Sequence, residues 1–307
     1  MSQKLVVVAG ATGQQGGSVV DALLAHGGYA VRGLTRNTSS PASQALTGRG
    51  VEMVSASLMD KSSLVSAFKG AYAVYGVTIP MTEDSETDMG KNMVDACLAN
   101  HVPLFIWSSL PDPSEVGNGE GMKIRLMAEK AAVDKYIKVV GQPTVTFWTG
   151  FFTENMLGQK QLIRAPGSDG NTWEIHFPVL ESHDRQPSSY ITKDVGLAVA
   201  AVVDHWEDPV YKERLTKEPI ILCSYVITGD EMVKTVARIT GKEIKYHIRA
   251  VSDDPAIAAT LKSFAEYWCR REIPAPVLKE LGVQFHTLDE FVREKVVPFM
   301  SVQESSS

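Results

Sequence analysis

The chain predicts an α/β fold of Rossmann type, a doubly wound parallel sheet with a smaller carboxyl-terminal α/β lobe. Three observations carry that expectation. The run Lys4-Leu-Val-Val-Val-Ala9 enters the glycine turn Gly10-Ala-Thr-Gly13-Gln-Gln-Gly16-Gly17 and continues as the apolar-periodic stretch Ser18 to Ala25, which reads as strand, turn and helix. Strand-like and helix-like segments then alternate through the first half, the pattern of right-handed crossovers between parallel strands. A chain of 307 residues with 44% apolar composition can bury one large domain and an appended lobe.

The glycines of the first turn have mechanical roles. Gly10 permits the tight turn, Gly13 lets the backbone approach a pyrophosphate, and Gly16 allows the helix to pack closely on the strand. The open N–H groups at the helix start then favour an anion. The second strand, Tyr29 to Thr35, ends at Arg36, about 20 residues past Gly16, where an acidic residue ordinarily grips a ribose hydroxyl. A guanidinium there attracts the 2′-phosphate that a carboxylate repels, so NADP(H) is favoured over NAD(H), unless Arg36 only opens a solvated loop. Arg32, in mid-strand, is a weaker candidate.

The remaining elements follow in order. Val51–Val54 reads as a strand, Lys61–Phe68 as a helix capped by Asp60, and Ala71–Val77 as a strand. A helical pattern from Glu83 to Asn100 leads to the strand Val102–Trp107, and another from about Gly121 to Val140 leads to Thr144–Trp148. Residues 1–150 are expected to form the NADP-binding domain. Residues 151–300 are expected to form a substrate or lid lobe partly interleaved with it, and 301–307 a disordered tail. Within the lobe, turn chemistry fills Arg164–Asn171 and Glu181–Ser189. Helices are expected over Lys193–His205, after Thr228, from about Asp254 to Cys269 and over Leu288–Val296, with strands at Ile220–Cys223 and Glu243–Ile248.

Composition narrows the partners. The formal charge of −6 comes without a basic stripe, so direct nucleic-acid binding is not expected. Cys97, Cys223 and Cys269 lack ligand spacing and read as buried structural thiols in a reducing compartment. The seven histidines are scattered, and no metal site is expected. A strand opening at Lys4 leaves no room for a signal peptide before it, and no apolar run approaches a membrane span; the expected location is cytoplasmic.

One charge stands on the wrong face of a helix. At about 100° per residue, Met122, Leu126, Lys130, Val133, Ile137 and Val140 fall within roughly 40° of one line, while Arg125, Asp134, Lys135 and Lys138 are expected on the flanks or back. A buried ammonium without a partner costs several kcal/mol. Lys130 therefore either snorkels to the rim or faces a polar cavity, where it would bond the nicotinamide ribose and, with a lowered pKa, assist protonation of a reduced substrate.

These segments together resemble the NmrA-like family, atypical relatives of the short-chain dehydrogenase/reductases. The resemblance rests on Gly10-Ala-Thr-Gly13-Gln-Gln-Gly16, Thr35-Arg36-Asn37, Phe105-Ile-Trp-Ser-Ser-Leu110, Ala128-Glu-Lys130 to Ile137, Pro143-Thr-Val-Thr146, Phe151-Phe152-Thr-Glu-Asn155-Met-Leu157 and Ile191-Thr-Lys-Asp194-Val-Gly196, and covers Lys4 to about Gly241. It implies NADP(H) binding and leaves two outcomes open: reductases of small metabolites, including isoflavone-reductase-like relatives, or redox-sensing regulators that act through a protein partner. Ordinary short-chain reductases would place Tyr at position 126 if Lys130 is their Lys; this chain has Leu126.

The cofactor-binding candidates are Gly10, Thr12, Gly13, Gln15, Gly16, Arg36, Asn37, Val77, Thr78, Ser108, Ser109, Lys130, Phe152 and Asn155. The serines at the strand end either meet the cofactor or cap the next segment, and Tyr75 is either a proton donor or a core residue. Trp148, Phe151, Phe152 and Tyr190 are the candidate substrate-pocket aromatics, with simple packing as the other reading of the Phe pair. Lys130 is the candidate catalytic residue. The expected function is NADPH-dependent hydride transfer to a C=O, C=N or conjugated C=C of a small organic substrate.

Overall fold

A computed structural model of the chain describes residues 3–80, 82–116, 124–168, 171–250 and 255–305. The first half contains β1 (Lys4–Val8), α1 (Gln14–His26), β2 (Tyr29–Thr35), α2 (Pro41–Gly48), β3 (Glu52–Ser55), α3 (Lys61–Ala67), β4 (Ala71–Gly76), α4 (Glu86–Ala99), β5 (Leu104–Ser109), α5 (Pro113–Val116), α6 (Arg125–Val140) and β6 (Thr144–Thr149). There follow β7 (Phe151–Phe152), α7 (Asn155–Gly158), β8 (Leu162–Arg164), β9 (Thr172–Pro178), β10 (Gln186–Ser189), α8 (Ile191–His205), β11 (Ile220–Leu222), β12 (Tyr225–Ile227) and β13 (Glu243–Arg249). Among the described residues the central sheet has seven parallel strands in the order β11-β6-β5-β4-β1-β2-β3, with the order reversing beside β1.

Both faces of this sheet are buried, as its near-continuous apolar strands require. One face packs α1 and α8 over Val6, Val8, Ile106 and Phe147; the other packs α3, α4 and α6 over Val7, Val74, Phe105 and Trp107. The α1–α8 contact is close because Gly196 lacks a Cβ, which would stand 2.0 Å from the Ser18 carbonyl oxygen. The same contact is tied by the Gly196 N–H donating to Ser18 Oγ at 3.0 Å. Thus α8 and β11, although beyond residue 150, complete the first layer.

The lobe carries two small sheets, β12-β10-β7 and β13-β9-β8, around Trp173, Ile175, Tyr190 and Phe291. Of the strands not expected from the sequence, β10 lies within the stretch read as turn chemistry, β7, β8 and β12 are only two or three residues long, and β9 has seven residues with a strand-like alternation of burial. Thr228 forms a reciprocal cap with Glu231 at the head of the helix Gly229–Thr240.

Several boundaries move. Ser85 accepts from the Asp88 N–H and so sets the start of α4; α6 is described from Arg125, and Gly121, Met122 and Asp254 lie outside the described residues. The segment expected as a disordered tail is helical as far as Ser305. The helix Leu288–Phe291 runs through five residues of π-helical winding into Val297–Ser305, held by buried Met300 and a 2.7 Å ion pair between Lys242 and Glu304. Ser306 and Ser307 lie outside the described residues.

Candidate functional site

A cleft of about 520 Å³ opens at the carboxyl ends of β1, β2, β3 and β4, beside the reversal of strand order. That is where open α/β sheets bind ligands. Its lining gathers Gly10, Thr12, Gly13, Gln15, Gly16, Arg36, Asn37, Val77, Thr78 and Phe152.

The glycine turn is built for close approach. Gly10 has φ +62°, and the Gly13 N–H closes the turn on the Gly10 carbonyl at 2.8 Å. A Cβ on Gly16 would stand 2.2 Å from the Gly10 carbonyl oxygen, so any side chain there would push α1 off the strand. Gly13 caps α1 without a side-chain acceptor, which leaves the first-turn amides facing the cleft mouth. Gln15 is braced from beneath: Tyr75 Oη and Ser108 Oγ each donate to its Oε1 at 2.7 Å. With the oxygen so held, its amide hydrogens are the donors left for the cleft.

Arg36 is exposed on the rim and makes no ion pair among the described residues. Arg32 is committed elsewhere, to Glu52 at 2.9 Å and to the carbonyls of Ala67 and Lys69 at 2.7 and 3.0 Å. The open amides, the free guanidinium and the glycine cradle fit a dinucleotide bearing a pyrophosphate and a further phosphate.

Lys130 is buried, 7% exposed, and stands behind the lining. Its Nζ donates to Thr78 Oγ1 at 2.6 Å, pairs with Glu86 Oε2 at 3.1 Å, and lies 5.3 Å from the centre of the Trp107 ring. Thr78 in turn donates to Glu86. Burial holds the Lys130 pKa below the ordinary lysine value, opposed by Glu86. Sequence reasoning misses Glu86, because an acidic residue in a helix's first turn is what the helix dipole alone would favour.

One turn further along α6, Asp134 is not on the solvated back. Its Oδ2 accepts from Ser109 Oγ at 2.9 Å and from Trp148 Nε1 at 3.4 Å, and burial pushes its pKa up to about 6.

The other candidates separate from the cleft. Ser108 is buried beneath Gln15, and Ser109 faces Asp134. Trp148 packs on Trp268 with ring centres 5.7 Å apart and does not line this cleft; it lines a separate cavity with Asp134. Tyr190 is fully buried in the lobe core, where its Oη donates to Glu294 at 2.9 Å; it too is removed from the pocket. Phe151 packs edge-on against Phe177 and Phe264. Asn155 opens α7 and does not line the cleft. The sequence reading also misses Ser57, Leu58 and Met59, which follow β3 and wall the cleft; their position at a parallel strand's end was the available signal.

Behind Phe152 lies a second, nearly filled cavity lined by Gln161, Gln186, Ser188 and Tyr225. Gln186 is fully buried, and neither its amide oxygen nor its nitrogen has a partner among the described residues.

Against this geometry stand the known proteins. The chain matches the NmrA-like family over residues 2–305. It belongs to that family. The NmrA-like family domain-containing oxidoreductase hkm9 of Aspergillus hancockii is 30% identical over 257 residues, covering 79% of this chain and 74% of that protein. Among solved structures, NmrA, a negative transcriptional regulator in complex with NADP, superposes with a TM-score of 0.79 at 19% identity over 100% of this chain and 98% of that one. The NADPH-dependent quinone oxidoreductase QOR2 of Escherichia coli, solved with NADPH, gives 0.70 at 19% identity over 94% and 98%. The NmrA-like fold is therefore shared with oxidoreductases and with a regulator. No helix among the described residues is long and apolar enough to cross a membrane.

Proposed function

We propose that this protein is an NADPH-dependent reductase that transfers hydride to a C=O, C=N or conjugated C=C of a small organic substrate. The observation that carries the reading is the buried Lys130–Thr78–Glu86 cluster set directly behind the floor of a cleft with a dinucleotide cradle. The glycine turn and the amides of α1 would hold the pyrophosphate, Gln15 would donate to it, and Arg36 with Asn37 would hold the adenosine phosphate. A reduced nicotinamide bound there would supply the hydride.

In this reading Lys130 acts through Thr78. Its ammonium fixes the Thr78 hydroxyl at the cleft floor; protonation of the product would require that hydroxyl to turn its one proton from Glu86 to the product while Oγ1 takes a proton from Nζ, whose lowered pKa favours the transfer. Phe152, which lines the cleft, would screen the reacting region from water. The oxidoreductase names of the relatives support turnover.

A second reading, a non-catalytic NADP(H) sensor acting through a protein partner, is favoured by one observation. The described lining of the cleft includes no Tyr, His, Cys or Lys, and Leu126 stands at the position of the usual Tyr. The deciding experiment is anaerobic NADPH consumption against a panel of carbonyl, imine and enone compounds with product identification. Stoichiometric product from at least one class is expected; NADPH binding without product from any class supports the sensor.

A further inference from the structure

We infer that Glu174, His176 and His247 form a divalent metal site on the outer face of the lobe sheet, and that Zn²⁺ is the ion it suits. The placement follows from strand geometry. Glu174 and His176 alternate with buried Trp173, Ile175 and Phe177 along β9, so both project from the same outer face. The parallel register sets His247 of β13 directly beside His176, about the spacing of neighbouring strands away. Their rings stack with centroids 4.9 Å apart at 24°.

Each imidazole is already turned toward the one carboxylate. His176 Nε2 is 2.8 Å from Glu174 Oε2, and His247 Nε2 is 3.6 Å from Glu174 Oε1. One ligand atom from each of the three residues lies within 4.8 Å of the others. A tetrahedral zinc ion with bonds of about 2.0–2.2 Å holds its ligand atoms roughly 3.3–3.5 Å apart, so small side-chain rotations close the set. Two imidazoles and a carboxylate are a donor set zinc favours, with the fourth position open to solvent.

The neighbours leave the space to a cation. Lys245, across from Glu174 in the register, turns to Glu243 at 3.7 Å, and Arg249 donates to the Gln159 carbonyl at 3.3 Å. The three ligands have side-chain exposures of 18%, 28% and 43%, so an ion can reach them from solvent. The spacing of histidines along the chain hides the site, because two ligands sit two residues apart on one strand and the third comes from a strand in another part of the chain.

The test is calorimetric titration of the chelator-treated full chain with ZnCl₂, paired with thermal melts. One saturable equivalent per chain is expected, with Tm raised by zinc. Glu174→Gln and His247→Ala should each weaken binding by at least about tenfold, while Cys269→Ser and His183→Ala, which alter other zinc-binding side chains, should leave it unchanged. All four positions are partly or fully exposed, and circular dichroism without zinc checks that each variant folds. Absence of saturable binding by the parent chain, or binding that survives a His176→Ala/His247→Ala double substitution, would overturn the site.

Discussion

Lys130 and Asp134 sit one turn apart on α6, both largely withdrawn from water, yet the protein handles them differently. Lys130 has a counter-ion, Glu86, with Thr78 between them. Asp134 accepts from the neutral donors Ser109 and Trp148, and burial outweighs them, pushing its pKa up to about 6. The first arrangement keeps a charge inside the protein beside the cleft; the second lets a carboxyl lose its charge near neutral pH. A buried ion costs least when paired, and an unpaired one shifts its titration instead.

The largest effect expected from this contrast is at the pair. Lys130→Met leaves Glu86 buried without its cation and should cost about 3–5 kcal/mol in denaturant unfolding. Adding Glu86→Gln, which keeps an acceptor for Thr78 and removes the stranded charge, should recover most of that loss. If the single and double substitutions are equally destabilised, the two side chains are not a coupled pair. The double variant also separates stability from chemistry: NADPH binding should persist while kcat falls.

Asp134 gives a smaller effect with its own pH signature. Its carboxyl keeps a proton up to about pH 6 when folded, whereas the unfolded chain releases it near the usual value of 3.8. The folded form thus binds more protons in that window, and the residue's contribution to stability falls as pH rises from about 4 to about 6. Asp134→Asn should abolish that component and leave the protein about 1–3 kcal/mol more stable at pH 8 than the parent chain, relative to their difference at pH 4. Parallel stability curves for the two proteins across that range would contradict the assignment.

The same helix shows how far the sequence reaches. Lys130 was legible because the helical period places it amid Val133 and Ile137, and a charge there demands an explanation. Asp134 was misread because Met127 and Ala131 widen the buried arc, and Met127 is buried in a cluster with Trp148 and Trp268, which arrive from other elements. The glycine cradle was legible for the opposite reason: its turn, its close contact and its helix start are contiguous in the chain, and Gly16 meets Gly10.

Long-range pairing accounts for the remaining differences. Tyr190 was a candidate pocket aromatic by residue type alone, and Glu294 and Phe291, about a hundred residues away, enclose it in the lobe core. Glu86 reaches Lys130 from another helix, and β7, β8, β10 and β12 are too short to show a period, whereas the alternation of β9 was there to be read. The central sheet, with its longer apolar strands and capped helices, needed no such information.

The smallest expected change in stability, and the most direct probe of the cleft, is at Arg36, which is exposed and packs against nothing that its loss would leave unpaired. The decisive measurement is fluorescence titration of the parent chain and Arg36→Ala with NADPH and with NADH. The account predicts tighter binding of NADPH by the parent chain and a loss of about tenfold or more in that preference on substitution, with NADH affinity little altered. Equal affinity of the parent chain for both dinucleotides, unchanged by Arg36→Ala, would contradict it.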